Sequence, residues 1–170
     1  MDFLTLAKER YSCRKFSDRP VEQEKLEKIM EAGIVAPTAV NKQPYKIWLM
    51  QSEKAVEAIS QITRFSFDAK VFFVVGYKED EAWVRKYDGR NFADVDASIV
   101  AAQMMLEIQD LGLGTTWVGH FNGPKLKELY PEMENYGLIA IFPVGYPAED
   151  AEPAEHHFVR KSREEAVTVL

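Results

Sequence analysis

The run Arg10-Tyr11-Ser12-Cys13-Arg14 puts two guanidiniums and a hydroxyl within five residues. At the end of a helix and in the turn after it, such groups can converge on one phosphate or carboxylate. The planar guanidinium fork suits this because it makes paired, charge-assisted hydrogen bonds. The same run could equally be a solvated basic face, with Arg10 paired to nearby acids. A second candidate is Ala36-Pro37-Thr38-Ala39-Val40-Asn41-Lys42-Gln43-Pro44, where prolines bracket small and amide residues. A stiff backbone of this kind can lay amides and carbonyls along a planar heterocycle, or it can simply join a helix to a strand. A third is Leu111-Gly112-Leu113-Gly114-Thr115-Thr116-Trp117-Val118-Gly119-His120. Its glycines follow a helix and open a strand, the reverse of a dinucleotide fingerprint. Gly112 suits a left-handed helix C-cap, while Gly119 and His120 can offer backbone amides to a ligand. Arg160-Lys161 adds two cations that, taken alone, read as a charged tail.

Other chemistries lack their residues. His120, His156 and His157 have no metal-ligand spacing, and Cys13 has no nucleophile context. Asp94 and Asp96 stand two apart and would not share a helix face. There is neither a phosphate-binding P-loop nor a Gly-x-Ser-x-Gly elbow. Any reaction would therefore be carried by a cofactor.

The 170 residues allow one domain, taken as 1–170. With 46% hydrophobic and 28% charged residues, the chain has the composition of a globular protein rather than a disordered or fibrous one. A net charge of -6 argues against nucleic acid as a partner. The apolar runs fall far short of the roughly 20 residues needed to span a membrane. One cysteine and no apolar leader fit a cytoplasmic protein.

The elements that must position these groups can be read from periodicity. Helices are expected over 2–11, from Glu22 to a stop at Pro37, and after a Ser52 cap with Val56, Ile59 and Ile62 inward. A further helix over 94–111 is apolar on two sides, with Val95, Ile99, Ala102 and Met105 or Leu106 recurring. Asn122-Gly123-Pro124 starts another. Strands are expected over 45–50, 71–77, 115–118 and 138–146, with Pro143 marking an edge, a bulge or an end in the last. The stretch 79–91 reads as a loop or short helix, and 147–157 as an extended connector. Alternation of strands and helices after residue 45 alone suggests a parallel α/β sheet.

The order of the motifs carries more than any one of them. Arg-x-Ser-x-Arg follows an N-terminal helix, and Pro-Thr-Ala-x-Asn-x-Gln-Pro precedes the first strand. Leu-Gly-Leu-Gly-Thr-Thr-Trp-x-Gly ends a buried helix, Pro-x-Gly-Tyr-Pro and Arg-Lys-x-x-Glu-Glu follow, and Asp-Gly-x-Asn-Phe-x-x-x-Asp occupies 88–96. Along almost its whole length the chain resembles the FMN-dependent nitroreductase family, in its compact, short-chain form.

The resemblance implies an α+β fold with a mixed, largely antiparallel central sheet flanked by helices, in place of the parallel sheet. It also implies an intertwined homodimer with FMN at the subunit interface and a C-terminus reaching across the partner. By position, Arg10, Tyr11 and Ser12 match the cofactor's phosphate and ribityl segment, and Arg160 with Lys161 the cations completing the phosphate site. Arg14 matches the cation beside the flavin pyrimidine edge. Pro37, Thr38, Ala39 and Asn41 match the loop lent by the other subunit, and Trp117, Gly119 and His120 the stretch beside the ring. The family loop commonly has two serines after the proline; here they are Thr38 and Ala39. The implied activity is transfer of hydride from NADH or NADPH through flavin N5 to a small, planar, electron-poor acceptor such as a nitroaromatic or quinone. A specialised reductase acting in dehalogenation or enone reduction, and a flavin carrier or sensor without turnover, are the alternatives.

Overall fold

Four short polar residues open helices by accepting backbone N–H groups: Asp2 from Leu4 and Thr5 (3.1 and 3.2 Å), Ser52 from Ala55 (3.2 Å), Asn122 from Lys125 (3.0 Å) and Ser162 from Glu165 (3.3 Å). The computed structural model describes residues 2–170. Its helices are α1 (Phe3–Glu9), α2 (Gln23–Ile34), α3 (Glu53–Ile62), α4 (Ala93–Asp110), α5 (Gly123–Leu129) and the short α6 (Arg163–Ala166). Its strands are β1 (Tyr45–Met50), β2 (Val71–Tyr77), β3 (Gly114–Thr115) and β4 (Gly137–Gly145). Among the described residues no helix is long and apolar enough to cross a membrane.

The sheet order is β1-β2-β4-β3 and every strand pair is antiparallel. The parallel sheet suggested by alternation is therefore overturned, and the largely antiparallel one holds. The reason lies in the connection after α3. Eight residues, 63–70, follow the helix before β2, enough extended chain to return to the end of the sheet that β1 left. Among the described residues parallel pairing survives only as a single bridge, Ser12 to Thr115.

β2 is buried on both faces, as its unbroken apolar run demands. Val71, Phe73 and Val75 point to one layer, against Ala97, Val100, Ala101 and Met104 of α4 and Leu26 and Ile29 of α2. Phe72 and Val74 point to the other, against Ile59 and Ile62 of α3 and Leu126 of α5. α4 thus buries Ala93, Ala97, Val100, Met104 and Ile108, and the recurring Val95, Ile99, Ala102 and Leu106 form a second stripe around the helix. That second stripe is apolar as well, and Ile99 and Ala102 on it are exposed.

Pro143 lies inside a central strand, paired with Phe72 on one side. On the other side the register runs Gly114 to Gly145, Thr115 to Val144 and, after a gap, Val118 to Ile141. The gap spans two positions, Thr116 opposite Pro143 and Trp117 opposite Phe142, and at the first of them proline has no N–H to donate. The expected strand over 115–118 is consequently only two residues of ladder followed by an isolated bridge.

Behind the sheet, Glu22 at the start of α2 accepts from the Tyr146 hydroxyl (2.7 Å) and from Arg19 (2.8 Å). Arg19 also lies over the Tyr146 ring, 3.8 Å from its centroid. The Tyr146 hydrogen bond, supported by backbone N–H and Arg19, holds the Glu22 carboxyl at about 2. Its folded value is below its ordinary one, so the stabilisation is complete above about 4.5 and is lost as pH falls through about 2. In urea titrations across that range the wild-type midpoint should fall with acid, and the fall should be shallower in Glu22→Gln. Parallel pH profiles for the two proteins would show that the contact adds nothing.

Candidate functional site

The segment after α1 runs beside β3, tied by Cys13 N–H to Thr115 O at 2.9 Å. Gly114 permits this approach, because a Cβ there would sit 2.7 Å from both Cβ and Sγ of Cys13. Gly112, with φ +72°, turns the chain out of α4 in the left-handed conformation that glycine tolerates. The Leu-Gly-Leu-Gly motif therefore ends one helix and then admits the strand-like segment that carries Ser12 and Arg14. Cys13 itself is buried, its thiol donating to Lys15 O at 3.2 Å, and burial pushes its pKa up. It is packing, not a nucleophile.

Arg10 is half-buried at the end of α1. Desolvation first, and then the charge of Arg160, lower its proton affinity. Neither guanidinium has a carboxylate partner among the described residues. Two cations that repel one another with no carboxylate partner among the described residues would favour an anion placed between them. Lys161 follows Arg160 into solvent. Tyr11 packs edge-on to His157 in the C-terminal segment, and burial, then Cys13, push its phenol up to about 12. It stays a neutral hydroxyl.

Arg14 lines a pocket of 210 Å³ with Thr116, Trp117, Gly119 and His120 on one wall and Phe65 and Phe67 on the other. The Pro143 gap opens it: freed from the ladder, Trp117 turns its ring edge-on to Phe142 at 5.2 Å and remains 39% exposed. A wider groove of 720 Å³ continues from Gly119 past Phe121 and Lys127 to Leu138. Phe65, Phe67 and the neighbouring Thr63 were not foreseen. Lone aromatics in a connector carry no periodic signal.

The loop with Pro37, Thr38, Ala39 and Asn41 is built separately. Asp96, 1% exposed on the first turns of α4, accepts the Ala39 N–H at 2.9 Å, while its Oδ2 is buried without a hydrogen-bond partner. Thr38 Oγ1 accepts the Gln43 N–H at 3.1 Å. Between these ties Val40, Asn41 and Gln43 have φ of 46°, 56° and 52°. Asp96 had been considered only as a possible pair with Asp94; its partner is instead a backbone amide across the fold. The loop feeds β1, whereas Arg10–Arg14 runs along β3, and three strand spacings, about 14 Å, lie between those sheet edges. One chain therefore brings Arg14, Trp117, Gly119 and His120 to one pocket, with Ser12 bridged to Thr115 and Arg10 within electrostatic range of Arg160, and leaves the 37–41 loop by the opposite sheet edge. Among the described residues no cluster could hold a metal ion.

Two substitutions test these supports. Gly114→Ala should destabilise the fold by about 1–3 kcal/mol through overpacking against Cys13, read as a lower urea midpoint at unchanged slope. Asp96→Ala leaves the Ala39 N–H unpaired and should cost about 2 kcal/mol. Asp96→Asn retains an acceptor and should cost less than about 1 kcal/mol by the same reasoning. Equal midpoints for the two Asp96 variants would contradict the role given to that hydrogen bond.

The sequence profile of the Nitroreductase family matches residues 7–69 and 63–146. A nitroreductase family protein of Clostridium difficile 630 is 37% identical, with a TM-score of 0.91 over 99% of this chain and 98% of that one. A Methanothermobacter thermautotrophicus protein, named provisionally an NADH dehydrogenase/NAD(P)H nitroreductase, is 29% identical over 157 residues, 88% of this chain and 80% of its own length. An FMN-dependent nitroreductase of Clostridium difficile R20291 shares the fold at 22% identity, with a TM-score of 0.72 over 94% of this chain and 98% of that one. With the profile spanning most of its length and a fold match across nearly all of it, the chain belongs to the nitroreductase family.

Proposed function

We propose that the chain, acting as one domain over 1–170, is a cytoplasmic FMN-dependent oxidoreductase that takes reducing equivalents from NADH or NADPH and passes them to a small, planar, electron-poor acceptor. The observation that carries this reading is the cation set: Arg10 and Arg160 lie within electrostatic range of one another with no carboxylate partner among the described residues, and Arg14, on the segment that follows Arg10, lines a pocket with Trp117 and His120. Such a set fits a ligand with a phosphate at one end and a flat ring at the other. The names of the NAD(P)H nitroreductase relative and the FMN-dependent neighbour point the same way.

FMN bound here would supply two-electron redox chemistry. Arg10, Ser12, Arg160 and Lys161 would hold its phosphate and ribityl end. Arg14 would place positive charge where a reduced ring carries negative charge, which favours the reduced state. Trp117, Gly119 and His120 would line the ring, with the unpaired Gly119 N–H as a donor. No side chain is asked to act as nucleophile or metal ligand.

A second copy of the chain would complete the site, bringing Pro37, Thr38, Ala39 and Asn41 to the half that holds Arg14. The apolar stripe of Val95, Ile99, Ala102 and Leu106 on α4, together with the exposed Phe3 and Leu4 of α1, supplies the surface for that pairing.

The test is an absorbance spectrum of the protein, sized as a dimer, after loading with FMN and removal of the excess, taken before and after anaerobic NADH and NADPH. A retained flavin band that bleaches with either donor is the expected result. A retained band that both donors leave intact would make the protein a flavin carrier, and no retained flavin would remove the cofactor assignment. Arg14→Ala should lower both the affinity for FMN and its midpoint potential; an unchanged potential would take away that residue's role.

A further inference from the structure

Two segments distant in sequence form the walls of the 210 Å³ pocket, and one hydroxyl hydrogen-bonds to both of them. Thr63 leaves α3 in an extended conformation and is only 8% exposed. Its Oγ1 donates to His120 O at 2.8 Å and accepts the Phe65 N–H at 3.2 Å. Thr63 thus ties the Trp117–His120 wall to the Phe65–Phe67 wall, using its hydroxyl as donor and acceptor at once. Beside it, Asn122 N–H donates to Ile62 O at 2.9 Å, and the His120 ring meets the Phe65 ring edge-on at 5.8 Å.

Each wall is held elsewhere as well, so the joint sets a dimension. Val118 exchanges both backbone hydrogen bonds with Ile141 at 3.0 Å, anchoring one end of the 118–120 stretch in the sheet. The Thr63–His120 bond anchors the other end, leaving Gly119 between two fixed points. Across the pocket, Phe67 and Asp68 have φ of 52° and 56° within a turn closed by Ala69 N–H to Ser66 O at 3.2 Å. Phenylalanine is a costly residue for that conformation, and bulky side chains are kept there only where the surroundings over-determine them. The surroundings here are Thr63 on one side of the turn and β2 on the other.

We propose that Thr63 is a positioning residue that sets the spacing between the two pocket walls, and through it the fit of the planar ring system bound between them. The proposal rests on the flavin-binding reading above and goes beyond it by naming the group that keeps the ring pocket at working width. Thr63→Val keeps the side-chain shape but leaves His120 O and the Phe65 N–H without their partner. Thr63→Ser keeps both hydrogen bonds.

The experiment compares wild type, Thr63→Val and Thr63→Ser in FMN dissociation constant, visible circular dichroism of the bound flavin, and thermal midpoint. Thr63→Val should raise the dissociation constant at least fivefold and alter the flavin dichroism, while Thr63→Ser stays within twofold of wild type with its spectrum. A purely structural Thr63 would lower the thermal midpoint and leave the bound-flavin spectrum unchanged, which overturns the proposal. So does a Thr63→Ser protein as impaired as Thr63→Val. Wild type that binds FMN alongside a Thr63→Val protein that binds it identically defeats this inference alone. Wild type that binds no FMN defeats the cofactor reading and this inference with it.

Discussion

Antiparallel ladders are continuous because each hydrogen-bonded pair exchanges two N–H groups, and a proline in a central strand removes one of them. Pro143 is placed so that the lost donor faces Thr116, in the strand that leads from α4 toward the pocket. Pairing stops after Thr115 and resumes only at Val118, so Thr116 and Trp117 lie on the sheet without being locked into it. From that break follows the loosened Thr116–Trp117 stretch, with its part-exposed indole, on the wall to which Thr63 is tied. Had residue 143 carried an N–H, it could donate to Thr116 O and the ladder would run unbroken from Gly114 to Val118. The sheet can lose that one donor because β2, clamped between two apolar layers, supplies the cohesion on the other side of β4.

The second constraint is lateral. The cation-bearing segment and the Pro37–Pro44 loop lie on opposite edges of a four-stranded sheet, and no bending of one chain joins them without breaking it. α4 links the two, with Asp96 at its start holding the loop and Leu113 just beyond its end leading into β3. One face of this helix packs on the sheet, and the other displays Val95, Ile99, Ala102 and Leu106. Two such helices packed face to face would cover both stripes and lay each loop near the other chain's cations. In the proposed dimer the same element would then build the core, the interface and the site.

Legibility of the sequence tracked the physical range of each signal. Caps at Ser52 and Asn122, the helix stop at Gly112 and the strand at 71–77 all arise from residues within a few positions of one another, and each was readable. Strand direction was not legible in the alternation of elements, because it depends on how far the 63–70 connector travels, and came only through the resemblance. Which face α4 buries was left open for a related reason: when a helix is apolar on two sides, periodicity cannot say which side meets the sheet and which awaits a partner. Among candidate site residues, Arg14 and the 117–120 stretch were singled out through motif order, and they line one pocket. Asp96 and Thr63 were not, since a buried polar residue whose partner is a distant backbone atom leaves no spacing pattern.

Backbone strain draws the same map of the molecule from an independent direction. The non-glycine residues with positive φ among those described are Val40, Asn41, Gln43, Phe67 and Asp68. All of them fall in the two loops that flank the proposed half-sites, and none lies in the connections elsewhere. Each is a cost of roughly 1–3 kcal/mol to the folded state, and Val40 and Phe67 are residues for which the left-handed region is especially poor. A loop serving only to join two elements would relax or would carry glycine. Besides their own internal hydrogen bonds, each loop is tied to the fold by a buried polar group, Asp96 beneath one and Thr63 beneath the other. The arrangement converts packing energy from the two cores into fixed loop geometry, which is what binding a rigid planar cofactor between two chains requires.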